Sequence, residues 1–551
     1  MSKKTFVFTR QLPPEAEDIP GVWKNKKGSG YRVPWNAHGV LGMNGEPAPE
    51  VSDEVLLEAL RCPKLVPGMD TFVKEHQKDM IRKMLALPAS HGWAPPGAGK
   101  TLTALVVLAN TSSPRLVITK AAARGTWARE VETYTTMKPV LLLGQGGKLP
   151  EIEDEGTEQT ASNIVYITAW ETLKFWKKAL CLLQPRVAVW DEIHWLRRPR
   201  HTKAIVESDG SVRFEGLGNT LDAARGIAQG CGRSIGLTAT PIPGRVRDLW
   251  TQLDIIEPWQ WGGFHEFGMR YCGGEHNGYG YQYNGITNAE ELRDRLRYIK
   301  VRVKREEVTK HLPPKRREII RLDVSEQNKP AAMKREIKAA AKSGDQESFF
   351  EAMLMEAASR KHAYLLDRVT DCLRAGQKVV VFTGRRLDCE RLGEKFEKFC
   401  LARIPSAQVW WAHGGSDSFE RDRIREEYMA CEGAALLVGT GDAWGESIDL
   451  QDTDLALISM LPWTPDKVIQ WEGRFSRLGQ KRPVLVSYII ARSTADEHVA
   501  DLLLNKLPHV GEVAEDAAAI EIEQALGGVD TSESSLSSLL SRVSSMPEAN
   551  L

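Results

Sequence analysis

Ala94-Pro-Pro-Gly-Ala-Gly-Lys-Thr101 has the make-up of a phosphate-binding loop, with alanine where such loops usually open on glycine. Small residues let successive backbone N–H groups curl around phosphate oxygens, and a following helix points its positive end at the same anion. Pro96, Gly97, Ala98, Gly99 and Leu102 would line that cradle. Lys100 would reach the β- and γ-phosphates, and Thr101 would help to hold Mg²⁺. The run Leu102 to Ala109 is apolar and suits the required helix.

Asp191-Glu-Ile-His194 follows a strand-like run, Arg186 to Trp190, so both carboxylates fall at a strand end. Asp191 can hold Mg²⁺, directly or through water, while Glu192 can orient and deprotonate an attacking water. Alone, such a pair is as readily a solvated edge. It lies 91 residues after Lys100 in a continuing pattern, and together the two motifs point to nucleotide hydrolysis. Phosphoryl transfer also needs positive charge on the γ-phosphate. Gln470-Trp-Glu-Gly-Arg-Phe-Ser-Arg-Leu-Gly-Gln480 offers Arg474 and Arg477, three apart and therefore on one face of a helix.

Two series of apolar strands must position these groups. The first is Arg115–Thr119, Asn163–Thr168, Arg186–Trp190 and Ser234–Thr238. The second is Lys378–Phe382, Ala434–Val438, Leu455–Ser459 and Val484–Ile490. Continuous apolar strands separated by helical segments imply parallel sheets covered on both faces, whose ligands bind at the strands' carboxyl ends. The fold class is α/β. The expected domains are an N-terminal extension (1–70), a first lobe (71–255), a linker or insertion, helical and irregular (256–370), a second lobe (371–510) and an acidic, Ser-rich tail (511–551). Glycine and aromatic residues crowd 261–285, which reads as irregular loops, and a helical run is expected from about 326 to 375. One unit with the loop and one with the arginines suggest ATP bound between them.

Composition narrows the class further. A chain of 551 residues exceeds one hydrophobic core. Its 42% hydrophobic and 26% charged residues exclude a largely disordered or fibrous protein. No apolar run is long enough to span a membrane and the start lacks a secretion signal, so no membrane partner is expected. Eight cysteines without a CxxC pair argue against a zinc site or a disulfide framework. Lys+Arg and Asp+Glu both number 73, so any basic surface is local. The densest stretch, Arg293 to Arg321, has twelve Lys/Arg against four Asp/Glu. The 16 tryptophans read mainly as packing residues.

The motif series resembles the superfamily-two helicase core of two tandem RecA-like domains, and more narrowly the Swi/Snf-type DNA translocases, over about residues 71–507. Gln77, 23 residues before Lys100, resembles that family's adenine-recognising glutamine. Leu116 to Trp127 and Tyr166 to Leu173 resemble strand-tracking motifs. Gly236-Leu-Thr-Ala-Thr240 resembles the coupling motif, with Thr238 and Thr240 linking ATP and nucleic-acid sites. Val380 to Gly384, His413 to Ser416, Gly445 to Leu450 and the Gln470–Gln480 motif follow in family order. The resemblance implies nucleotide contacts at Gly445 and Asp449 and a coupling role for Gln470. Arg477-Leu-Gly-Gln480 is similar to the Swi/Snf ending, with Ser476 in place of histidine, and Val301 to Lys315 to its basic linker, with Val303 in place of arginine. Phe264 to Cys272 and Asn288 to Leu292 look most like the annealing-helicase branch.

The implied activity is ATP hydrolysis driving movement along double-stranded DNA, to remodel bound proteins, forks or annealed strands, with branched or single-stranded DNA as further expected partners. Lys120, Arg124, Thr168, Arg385 and the basic linker are the candidate contacts, with Arg197, Arg198, Arg200 and Lys203 a further basic cluster. A strand-separating DNA or RNA helicase and an ATP-switched DNA clamp are the alternatives. ATP and Mg²⁺ are the expected cofactors. The expected location is cytoplasmic or nucleoid-associated for a bacterial or phage protein and nuclear for a eukaryotic one.

Overall fold

In this computed structural model the chain divides into two units, Met1–Val308 and Thr309–Leu551. The structure describes residues 6–9, 19–24, 31–34, 50–144, 146–149, 163–196, 203–206, 212–215, 219–278, 280–304, 307–308, 312–324, 346–444, 450–476, 480–514 and 517–526.

The first unit is built on seven strands: β1 (Ala89–Trp93), β2 (Arg115–Thr119), β3 (Lys138–Leu141), β4 (Ile164–Ala169), β5 (Val187–Asp191), β6 (Arg233–Thr238) and β7 (Lys300–Arg302). They lie in the order β7-β1-β6-β5-β2-β4-β3, every pair parallel. The second unit has β8 (Lys315–Leu322), β9 (Lys378–Thr383), β10 (Gln408–Ala412), β11 (Ala435–Thr440), β12 (Leu455–Ile458) and β13 (Val484–Ala491). These also pair in parallel, in the order β8-β13-β12-β9-β11-β10. All eight expected strands are present, displaced by no more than two residues at either end.

Period-two alternation feeds two cores at once in the first sheet. Val117, Val187, Val189 and Ile235 join one cluster with the helix Lys100–Ala109, while Leu116, Ile118, Ala188 and Trp190 join another on the opposite face. Each such side chain contributes about 1.5–3 kcal/mol by leaving water.

Sequence periodicity did not reveal β1, β3, β7, β8 and β10; β3 and β10 are edge strands that are exposed or only partly buried along most of their length. β1 carries buried polar residues, Ser90 and His91, and burial holds the His91 imidazole neutral, its pKa pushed down to about 3. β7 and β8 are edge strands rich in basic residues. The stretch 256–370 thus supplies an edge strand to each sheet. Within 261–285, expected to be irregular, lie the helix Phe264–Tyr271 and a small hairpin, Glu275–His276 with Tyr281–Gln282. The glycines serve packing: a Cβ on Gly268 would meet the Tyr283 ring at 2.4 Å. Of the helical run expected from about 326 to 375, the helix Gln346–Arg374 is described, and residues 325–345 lie outside the described residues.

Helices are described on both sides of the two expected lobes. Helix Asp53–Leu60, capped by Ser52, buries Leu56 and Leu60 in the first core, and Asn110 donates to the Ala59 carbonyl at 2.9 Å. The segment expected to be tail forms the helices Leu507–Ala514 and Ala517–Leu526, the latter packed on β8 and on the helix Pro465–Glu472. Arg197, Arg198 and Arg200 lie outside the described residues, and Lys203 opens a short strand, Lys203–Val206.

Candidate active site

The chain leaves β1 at Trp93, and the Ala94 N–H donates to the Thr238 carbonyl at 3.1 Å, which fixes the loop to the end of β6. Gly97 and Gly99 both take φ of +80°, the left-handed region that favours glycine. At Gly99 a side chain is also excluded sterically, because a Cβ would lie 2.0 Å from Gln77 Nε2. Lys100 opens the next helix, whose residues Leu102 to Ala109 are all buried, so its N-terminus is held rigidly against the loop. Lys100 Nζ donates to the Ala94 and Pro95 carbonyls at 3.0 and 3.4 Å, inside the loop where phosphate oxygens would sit.

Gln77 braces this loop from behind. Its Oε1 accepts from the Lys74 N–H at 2.9 Å, and its Nε2 donates to the Ala98 carbonyl at 3.1 Å. The His76 ring nitrogen lies 3.2 Å from the same carbonyl. Both ends of the Gln77 amide are therefore occupied by protein.

The carboxylates stand on the same sheet edge. β6 lies between β1 and β5, with Thr238 opposite Trp93 and Leu237 opposite Asp191. Asp191 Oδ2 accepts from Thr119 Oγ1 at 2.7 Å and from Trp127 Nε1 at 2.8 Å; Trp170 Nε1 donates to its backbone carbonyl at 2.8 Å. Burial, and then the neighbouring Glu192 charge, push the Asp191 carboxyl up against the pull of those two neutral donors.

Glu192 adopts φ +48° and ψ +47°, a strained backbone for a residue with a side chain. That twist turns it away from the strand and sets Oε2 3.2 Å from His194 Nδ1. Burial alone would raise Glu192, but the His194 hydrogen bond and the Lys100 and Lys120 charges outweigh it and hold the carboxyl down to about 2. His194 Nδ1 also lies 2.8 Å from Thr238 Oγ1, which accepts from the Thr240 N–H at 3.0 Å. One ring nitrogen thus lies between the Glu192 carboxylate and the Thr238–Thr240 segment. The quoted motif contained His194, but only the sheet reveals its partner 44 residues on.

These residues fit a nucleoside triphosphate with Mg²⁺. The left-handed glycine cradle and the helix N-terminus suit phosphate. Asp191, hydrogen-bonded by a hydroxyl and an indole, and Thr101 in the first turn of the helix after the loop are the residue types that suit a cation taking few protein ligands and completing its shell with phosphate and water.

The candidate nucleic-acid residues differ in exposure. Lys120 and Arg124 are partly exposed beyond β2, where Arg124 begins the helix Arg124–Tyr134. Thr168 is fully buried, its hydroxyl 3.5 Å from that of Thr172. Arg385 pairs with Glu351. Parts of the basic stretch are committed internally: Arg295 is buried, donating to the Tyr271 hydroxyl and the Gln260 carbonyl, both at 2.9 Å. Val303 is buried and its N–H donates to the Trp93 carbonyl at 2.9 Å, a setting that suits an apolar side chain.

In the second unit the helix expected to display both arginines ends at Glu472, with Gly473 as its cap. Arg474 therefore sits on the turn beyond it, buried, its carbonyl accepting from the Leu450 N–H at 3.0 Å. Gln470 is in the last turn of that helix. Arg477, Gly445 and Asp449 lie outside the described residues. Trp444 and Trp471 are packing residues: a Cβ on Gly439 or Gly441 would come within 2.0 Å of the Trp444 or Trp471 ring respectively.

Residues 219–365 match the SNF2-related domain and residues 361–479 the helicase conserved C-terminal domain. Both matches agree with the resemblance to Swi/Snf-type ATPases read from the motifs. Among curated proteins it is similar to the SWI/SNF-related matrix-associated actin-dependent regulator of chromatin subfamily A-like protein 1 of Xenopus laevis. The two are 26% identical over 439 residues, 76% of this chain and 41% of that protein. It is also similar to the DNA annealing helicase and endonuclease ZRANB3 of Mus musculus, 25% identical over 442 residues, 75% of this chain and 38% of the relative. The chain spans about two fifths of the length of these relatives. The Sulfolobus solfataricus SWI2/SNF2 ATPase core in complex with dsDNA covers 83% of this chain and 97% of its own at 17% identity, with a TM-score of 0.36, too loose a superposition to bear on function.

Proposed function

We propose that the chain hydrolyses ATP to move along double-stranded DNA. The observation that carries this reading is the chain Glu192–His194–Thr238–Thr240, which ties the group that would activate water to the segment that would report on nucleic acid. The domain matches and the annealing-helicase relatives support the same reading.

In this proposal Lys100 and the 96–99 backbone hold the β- and γ-phosphates, with Leu102 beneath them, and Thr101 and Asp191 hold Mg²⁺. The ion would neutralise phosphate charge and help to align the leaving group. Glu192, ionised at neutral pH, accepts the proton of the attacking water. Its charge acts on the His194 ring, whose Nδ1 lies 3.2 Å from Oε2 and is hydrogen-bonded to Thr238 Oγ1 at 2.8 Å. When the proton arrives and Glu192 loses its charge, the field on a ring already tied to Thr238 changes. Hydrolysis is thereby felt at the coupling segment. Arg474 and Arg477 would supply positive charge to the γ-phosphate, Gln470 would assist the coupling, and Gly445 and Asp449 would border the nucleotide. A Gln77 that reads adenine would exchange its present contacts for the base. Lys120 and Arg124 would contact backbone phosphates, which carry little sequence information.

The test compares ATPase stimulation by duplex DNA, single-stranded DNA and RNA, followed by displacement of a third strand from a triplex. Duplex-stimulated turnover with triplex displacement is expected. Stimulation by single strands alone, with fork unwinding, would replace this reading with the strand-separating helicase.

A further inference from the structure

We infer that Glu472 is a positioning residue for Arg474, held by the strand through which the chain enters the second unit. This rests on the ATPase reading above and adds a device to it. Glu472 is the last residue of the helix Pro465–Glu472, two positions before Arg474, and is only 1% exposed. Arg317 grips it with both arms of the guanidinium: Nε donates to Oε1 and Nη2 to Oε2, each at 2.7 Å. Lys315 Nζ donates to Oε2 and the Tyr488 hydroxyl to Oε1. Both basic residues belong to β8, the first strand after Thr309, and they stand opposite Val484 and Val486 of β13.

The arrangement is over-determined for packing alone. Two cations converge on one carboxylate, and a planar guanidinium fixes orientation as well as charge, which an ammonium cannot do. The chain then turns at Gly473, whose N–H donates to the Ile469 carbonyl at 3.0 Å, and the Arg474 N–H donates to the Trp471 carbonyl at 3.1 Å. With Glu472 immobile, only one residue separates a fixed point from Arg474. The helix Ala517–Leu526 packs on both β8 and the Pro465–Glu472 helix, so the strand and the arginine turn share a further support. Lys315 and Arg317 come from the basic stretch that the sequence offered to DNA, and their charge is spent on this clamp. Strand β8 and the turn carrying Arg474 are therefore tied together within the second unit.

The test uses the full chain with duplex DNA. Arg317→Gln keeps the Lys315–Glu472 charge pair and removes the orienting fork. It is expected to lower kcat about 10- to 100-fold, the scale of a small misplacement of a catalytic group, with KM for ATP within about twofold and Arg317→Lys recovering part of the loss. In an Arg474→Ala background, single-turnover rates should fall by less than about twofold on adding Arg317→Gln, because the two changes disable one device. Tyr488→Phe, which leaves all charges matched, gives the same reading should Arg317→Gln not fold. A kcat within twofold of wild type, or an equal loss in both backgrounds, overturns the inference. A wild-type chain with no ATP turnover would instead overturn the parent reading and this one with it.

Discussion

Asp191 in the first unit and Glu472 in the second are both carboxylates withdrawn from bulk water, and their ionisation is pushed in opposite directions. Asp191 is met by a hydroxyl, an indole N–H and the like charge of Glu192, and its pKa goes up. Glu472 suffers the same desolvation, but Lys315 and Arg317 outweigh it, and its pKa falls far below the carboxylate range. Burial by itself decides neither case; the charge of the partners does. Asp191, hydrogen-bonded by neutral donors and reached by the Lys100 charge only through space, keeps its own charge available to a cation. A carboxylate already matched by two cations is complete and can only hold structure. Glu192 is held down by His194 and by the more distant Lys100 and Lys120 charges, without the closed set of direct contacts around Glu472.

The largest effect is expected at the phosphate loop: Lys100→Ala should abolish ATP turnover with an unchanged melting temperature. Wild-type-like turnover would discard the site. Glu192→Gln should bind nucleotide normally in a titration and lose hydrolysis by about 10²–10⁴-fold; lost affinity would contradict its role as base. Arg474→Ala should cost on the order of 10³ in rate if its charge reaches the γ-phosphate, and a loss of only a few-fold would make the residue structural. The comparison itself is tested by a pair of denaturation curves. Glu472→Gln leaves two buried cations without their counter-charge and should destabilise the chain by about 3–5 kcal/mol, whereas Asp191→Asn relieves a like-charge contact and should leave stability equal or higher while activity disappears. Equal losses in the two variants would break the distinction. Because Glu472 has a depressed folded pKa, its contribution is present above the ordinary glutamate range and is lost as pH falls through the folded value. The smallest effect is at Gly99→Ala, where a left-handed φ costs about 1–2 kcal/mol. The contact with Gln77 adds to that cost, and removing Gln77 in the same chain should recover only the steric part, measured as nucleotide affinity.

Apolar strand runs and the spacing of small and charged residues were enough to read two parallel sheets, the phosphate loop and the Asp191–Glu192 pair. These features are local: a strand buried on both faces must be apolar throughout, and a loop that wraps phosphate must be small. β1 was hidden because its polar residues are buried by neighbours distant in sequence. β7 and β8 were hidden because edge strands tolerate charge, so their basic residues read as a linker. The helix expected under Arg474 and Arg477 stops at Gly473, because a three-residue spacing identifies a helical face only where the helix continues.

The amino-acid sequence by itself determined which chemical groups are present and at which strand ends they fall, since both follow from short-range pattern. Only the tertiary structure decided their partners: Gln77 against Ala98, His194 against Thr238, Arg317 against Glu472. Each of these contacts joins residues between 21 and 155 positions apart. Burial and counter-charge, which set a carboxylate's ionisation and therefore its use, exist only once the sheets have brought those residues together.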